Sequence, residues 1–295
     1  MDRMKKDRFF SSSLSCPSCR RFADHAHPVF SYGKEAVNVS KVTVWVISLF
    51  CIKTVCVLAE KSPAQTQFLY VRHGEVPGND ASDPSTYSYT GSGTDASLTK
   101  KGVDQASQCA VTISHLQEQR RIGKVVAIYA SDLKRARETA KPIAQELGLD
   151  VHLRHNLREI SWGCVDGQLV QKITREWEEV EERVRESYPD RKVRWNYLPV
   201  FESAETYNAL LNRTLEELKT IAEAHEAGTI LIIGHGRVLK TLIAEAKDTE
   251  ENIPYPANCG IAEFTYSSED GLQFIKVFEK DSTFDNSPLL NAPVH

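Results

Sequence analysis

Two short apolar runs constrain most strongly how this chain can fold. Gln67-Phe68-Leu69-Tyr70-Val71 stops at Arg72-His73-Gly74-Glu75, and Thr229-Ile230-Leu231-Ile232-Ile233 stops at Gly234-His235-Gly236. Both have the length and bounds of buried strands. From Gln67 onward, strand-like and helix-like runs alternate, which argues for α/β layering. The expected architecture is a three-layer sandwich with a mostly parallel central sheet flanked by helices. In such sheets ligands bind at the C-terminal lip, where strand ends and helix N-termini converge. The two histidines sit on that lip, each beside a glycine. The pairing suggests one imidazole that attacks and another that helps hold what is attacked.

The elements between them can be placed from pattern. Residues 77–97 are rich in Gly, Ser, Thr, Asp and Tyr and read as a long polar loop. Leu98-Thr99-Lys100-Lys101-Gly102 opens a helix running through Leu116. Val125 to Tyr129 is the next strand, with Ser131 placed as N-cap of a helix that carries Arg135 and Arg137. Pro142 is expected to kink or interrupt that helix. Val151-His152-Leu153 is a further strand. Residues 168–187 give the clearest helical period, through Ile173, Trp177, Val180 and Val184. A second helix covers 204–224, and 261–266 with 272–278 form an antiparallel pair.

The N-terminal 65 residues differ in character. Residues 1–41 are polar and mildly basic, without periodicity, and are expected to be disordered. Residues 42–59 are apolar except for Lys53 and a few Ser/Thr. Their length is borderline for a span. They are read first as a signal-anchor or signal peptide, next as an unfolded extension, and last as a core segment. The protein is expected at a membrane or exported if that segment is a genuine signal, and in the cytoplasm otherwise. Residues 281–295 form a tail, leaving 66–280 as the folded domain, with a lid over 168–202. The net charge of −4 gives no global attraction to nucleic acid. Seven scattered cysteines are not a disulfide framework. Cys16 and Cys19, followed by His25 and His27, lack the second ligand pair that a zinc site needs.

Further motifs accompany the histidines in order. Asp95-x-x-Leu98-Thr99-x-x-Gly102 comes first, then Ser131-Asp132-Leu133-Lys134-Arg135-Ala136-x-x-Thr139-Ala140. Leu157-Arg158-Glu159 follows, with Gly163 and Gly167 behind it. As a set, over about residues 67–280, these resemble the histidine phosphatase superfamily, which includes cofactor-dependent phosphoglycerate mutases and many phosphomonoesterases. The resemblance implies a phosphate clamp of Arg72, Arg135 and His235, with Asn79 and the Gly236 amide as further contacts. Arginine suits that task because its planar fork of N–H donors matches phosphate oxygens. It implies His73 as nucleophile, forming a phosphohistidine, with its other ring nitrogen held by a backbone carbonyl of the glycine turn. It implies Glu159 as the acid that protonates the leaving oxygen and later takes a proton from water. Glu75 and Asp132 are the alternative carboxylates. Arg137 is read as structural, and Arg237 has the weaker claim on the phosphate.

Departures from the pattern narrow the reading. Mutases carry Ser or Thr where this chain has Val76, and their arginine-rich insertion is not evident. Phe201 stands where the phosphatase branch has a glycine before Glu202-Ser203. The acid-phosphatase branch expects His-Asp where this chain has His235-Gly236. The reading is therefore a metal-independent phosphomonoester hydrolase, without cofactor, acting on a small phosphorylated substrate. A phosphoglycerate mutase and a non-catalytic phospholigand-binding scaffold are the alternatives. Arg191, Lys192 and Arg194 are read as surface charges rather than as contacts to a second acidic group. Nothing in the sequence specifies an oligomeric state.

Overall fold

The computed structural model describes residues 65–80, 82–225, 228–253 and 257–278. Six strands form one sheet: β1 (Thr66–Arg72), β2 (Val125–Ser131), β3 (Val151–Arg154), β4 (Thr229–Gly234), β5 (Ile261–Ser267) and β6 (Gly271–Phe278). Their spatial order is β3-β2-β4-β1-β5-β6. The first four are mutually parallel, and β5 and β6 add an antiparallel hairpin at one side. The helices are α1 (Lys100–Glu118), α2 (Lys134–Leu147), α3 (Thr174–Ser187), α4 (Arg191–Arg194), α5 (Tyr207–Glu223) and α6 (Gly236–Ala246).

Period-two alternation divides each strand between two cores. Phe68, Tyr70, Ile230 and Ile232 face one core, shared with Leu210 and Leu218 of α5 and Leu239 of α6. Leu69, Val71, Leu231 and Ile233 face the other, with Ala106 and Ile113 of α1 and Ala136 and Ile143 of α2. Helices thus cover both faces, which is why the strands read as continuous apolar runs. In β2 the alternation slips: Val125 joins the second core while Ala127 joins the first. A register shift between these two residues, opposite β4, accounts for it.

Three local expectations are corrected. Ser131 is the last residue of β2, not a helix cap; its hydroxyl reaches only the Leu133 amide, at 3.3 Å. The first turn of α2 is capped from a distance instead, Asp95 Oδ1 accepting the Lys134 N–H at 2.6 Å. Helix α2 also runs unbroken past Pro142, held by the burial of Ala136, Ala140 and Ile143 on either side of it. The helix expected over 168–187 begins only at Thr174. Upstream of it the backbone pairs with the polar loop, Tyr89 N–H to Gln168 O at 2.9 Å and Val170 N–H to Tyr87 O at 3.0 Å, which leaves only a 3-10 turn at Val170–Lys172 before α3. Among the described residues no helix is long and apolar enough to cross a membrane. Residues 1–41, 42–59 and 281–295, with the Cys16/Cys19 pair, lie outside them.

Candidate active site

Strands β1 and β4 pair in parallel with Arg72 opposite Gly234, so His73 and His235 leave the sheet side by side. The His73 N–H still bonds Gly234 O at 2.9 Å. The two rings lie 5.2 Å apart, edge to face, with residue exposures of 3% and 0%.

Their hydrogen bonds give the rings opposite tautomers. His73 Nδ1 lies 2.7 Å from Gly74 O, which can only accept, so Nδ1 carries the proton and Nε2 presents a lone pair. This is the backbone carbonyl of the glycine turn that the sequence called for. His235 Nδ1 instead accepts from Arg135 Nε at 3.2 Å, so its proton sits on Nε2. That Nε2 is buried and has no protein hydrogen-bond partner. One ring thus presents a lone pair and the other an N–H.

Both imidazoles are held well below their ordinary pKa. For His73 burial is the main cause, followed by the charges of Arg135 and Arg72; for His235 it is burial, then Arg135 and the other histidine. Unfolded histidine titrates near ~6.5, so above that pH neither state takes up protons at these sites. As pH falls below it, the unfolded chain binds protons first and the fold loses stability. The loss should be about 1.4 kcal/mol per pH unit for each histidine until the folded values are reached. Urea unfolding between pH 7 and 5.5 should show it, and His73→Gln should reduce the slope.

Tyr70 clasps the backbone of His235 from within β1. Its hydroxyl accepts the His235 N–H at 2.8 Å and faces His235 O at 3.3 Å. A Cβ on Gly234 would lie 2.0 Å from that hydroxyl. Gly234→Ala should therefore destabilise the protein by about 1–3 kcal/mol, read from the urea midpoint. Behind His73, Asn258 Nδ2 donates to the His73 carbonyl at 3.0 Å, and the Cys259 N–H donates to Arg72 O at 2.9 Å. The Gly74 N–H donates to Thr139 Oγ1 at 2.9 Å. A Cβ on Gly74 would meet Gly102 O at 2.5 Å, which ties the first glycine turn to α1.

Arg135 is fully buried and donates from three nitrogens, to His235 Nδ1, to Thr94 O at 2.5 Å and to Gly91 O at 3.0 Å. A guanidinium has five N–H donors, so two remain for a ligand. Glu159 is 6% exposed, not the surface carboxylate it could have been. Its Oε1 accepts the Ile160 N–H at 2.9 Å, and its Oε2 accepts the Arg237 N–H at 3.1 Å, within the first turn of α6. Asp132 forms a fork with Arg158 at 2.6 and 2.9 Å, and Glu75 pairs with Lys101 at 2.7 Å and Thr99 at 2.9 Å. These two carboxylates are thus engaged structurally. Val76 is buried, and Asn79 Oδ1 is buried without a protein partner. Gly236 is the first residue of α6, where helix amides face outward.

Arg137 is exposed, as its helix face requires. Arg191 binds Glu245 and Asp248, at 2.9 and 2.8 Å, and Arg194 pairs with Glu250. Within the expected lid, these arginines pin α4 to the end of α6 rather than addressing a ligand. Phe201 is buried against Tyr89, Trp162 and Trp177, and the left-handed backbone falls on Ser203 (φ 59°).

The pattern of the histidine phosphatase superfamily (branch 1) matches residues 68–276. The chain belongs to that superfamily. Among its histidine phosphatase relatives, phosphoglycerate mutase-like protein 4 of Arabidopsis thaliana is 26% identical over 200 residues, 67% of this chain and 78% of the relative. The metal-independent phosphoserine phosphatase of the same plant is 29% identical over 178 residues, 60% of this chain and 67% of the relative. Among solved structures, Bacillus stearothermophilus YhfR superposes with a TM-score of 0.57 at 27% identity, over 73% of this chain and 97% of its own. Phosphoserine phosphatase from Entamoeba histolytica, solved with 3-phosphoglyceric acid, gives 0.56 at 22% identity, over 73% and 98%, and shares the fold.

Proposed function

We propose that this histidine phosphatase hydrolyses small phosphomonoesters through a phosphohistidine on His73, without a metal. The observation that carries the reading is the opposed tautomers of the two buried rings, one with a free lone pair and one with an N–H donor. In this scheme Arg72, Arg135, His235 Nε2, Asn79 and the Gly236 amide surround the phosphoryl oxygens and neutralise charge. His73 Nε2 attacks phosphorus in line as the ester P–O bond breaks, and Glu159 gives its proton to the departing oxygen. Water then loses a proton to Glu159 and attacks the phosphohistidine, releasing inorganic phosphate and restoring both groups. Depressed imidazole pKa values keep His73 nucleophilic at neutral pH.

Val76 favours hydrolysis over mutase chemistry. It is buried and apolar where mutases place a hydroxyl, so one contact for rebinding an isomerised product is missing. Offering the protein 3-phosphoglycerate, phosphoserine and an aryl phosphate tests the choice. Release of inorganic phosphate is expected; isomerisation of phosphoglycerate outpacing release would overturn it. A scaffold reading would require phosphate release to be undetectable. Residues 42–59 would act as a signal or anchor, supported by their apolar composition, and fractionation of the full chain tests that role.

A further inference from the structure

Asp166 follows a short 3-10 turn at Gly163–Val165 and reaches across to the polar loop. Its Oδ1 accepts the Gly91 N–H and the Thr94 hydroxyl, both at 2.9 Å, and its Oδ2 accepts the Gly93 N–H at 3.0 Å. The same loop turns two carbonyls, Gly91 O and Thr94 O, onto the guanidinium of Arg135. Between them the Ser92 N–H binds Ile160 O at 2.9 Å, next to Glu159. A Cβ on Gly91 would lie 2.6 Å from Asp166 Oδ2, Ile160 O and the Trp162 ring, so the loop approaches as closely as backbone allows.

We propose that Asp166 is a positioning residue for the phosphate site, acting through residues 91–94 to orient Arg135 and, through Arg135, to fix the proton of His235 on Nε2. The inference rests on the reading of Arg135 and His235 as phosphate ligands. The physical chain is continuous. Residues 91–94 carry no helix and no ladder of their own, so their shape is set by three bonds to one carboxylate, with the Ser92–Ile160 bond and one weak turn bond beside them. That shape aims two acceptors at Arg135, and the Arg135 plane then points Nε at His235 Nδ1. Burial opposes the guanidinium charge, and the carboxylates of Asp95 and Asp166 offset part of that cost. Loss of the loop's shape would let Arg135 rotate, and His235 would then be free to take either tautomer.

Asp166→Asn keeps the outline of the side chain but replaces one acceptor oxygen with an N–H donor facing the Gly93 N–H. On the full chain it should weaken orthophosphate binding, read by calorimetry, by about 10-fold, and lower kcat/KM for an aryl phosphate by about 10- to 100-fold. In an Arg135→Lys background the same change should alter orthophosphate affinity less than about 2-fold, because its route is already cut. Wild-type affinity in Asp166→Asn, or the same fold loss in both backgrounds, overturns the proposal. If Asp166→Asn does not fold, Thr94→Val removes one of the three bonds at equal volume; a weakened orthophosphate affinity supports the proposal and an unchanged one overturns it. A wild-type chain that binds orthophosphate but hydrolyses no ester would sink the hydrolase reading while the affinity comparison still decides this one. A wild-type chain without orthophosphate affinity overturns both.

Discussion

His73→Ala should lower turnover by about 10^4-fold or more while leaving the fold intact, because in the proposed mechanism this side chain makes the new bond to phosphorus. The ring is buried, but its Nδ1 bonds only its own neighbour, Gly74 O. Truncation therefore removes the edge-to-face contact with His235 but no side-chain hydrogen bond to a distant segment. The backbone that carries it stays anchored by Gly234 O, by Asn258 and by the Cys259 amide. Steady-state phosphate release with thermal unfolding measured alongside separates the two effects. Residual turnover within about 10-fold of wild type would mean that another group attacks phosphorus. Changes at His235 should behave differently, since a clamp residue weakens phosphate binding without removing the nucleophile.

Glu159→Gln should have the next largest effect, and the effect should depend on the leaving group. The one carbonyl oxygen of glutamine can still accept the Arg237 N–H that binds Glu159 at 3.1 Å, so the bond to α6 survives while the Ile160 N–H loses its acceptor. What it cannot do is transfer a proton. For an alkyl phosphate, whose departing oxygen is strongly basic, kcat/KM should fall by about 10^2- to 10^4-fold. An aryl phosphate leaves as a stabilised anion and should lose much less in that step. Comparing the two substrates in both proteins checks the assignment. Equal losses would place Glu159 in structure or binding, and a larger loss at Asp132→Asn would move the acid role there.

What the sequence made legible were features that local pattern encodes. Two apolar runs ending in His-Gly specified parallel strands, and the order of motifs singled out Arg135 and Glu159. The backbone partner of His73 was also readable, because it lies one residue away. What stayed hidden were contacts set by the fold between distant segments. Asp95 caps α2 across 39 residues, Tyr70 clasps His235 across 165, and Asp166 holds the loop 91–94 from more than 70 residues away. In sequence Asp95 heads a motif and Tyr70 sits in an apolar run, but neither names the distant segment it meets, and Asp166 is an ordinary polar residue. The missed cap had a legible trace, since Ser131 ends a strand of five apolar or small residues that could extend by two. The continuity of α2 through Pro142 had none, because tertiary burial overrode propensity.

The proposed hydrolysis passes through a covalent phosphoenzyme on His73 Nε2. The direct measurement is rapid mixing with a 32P-labelled phosphomonoester, a quench in base, and mapping of the labelled peptide. The expected result is acid-labile, base-stable label on the peptide carrying His73, formed in a burst before steady state and absent from His73→Ala. Steady turnover without any trapped label, or label on a peptide that lacks His73, would contradict it.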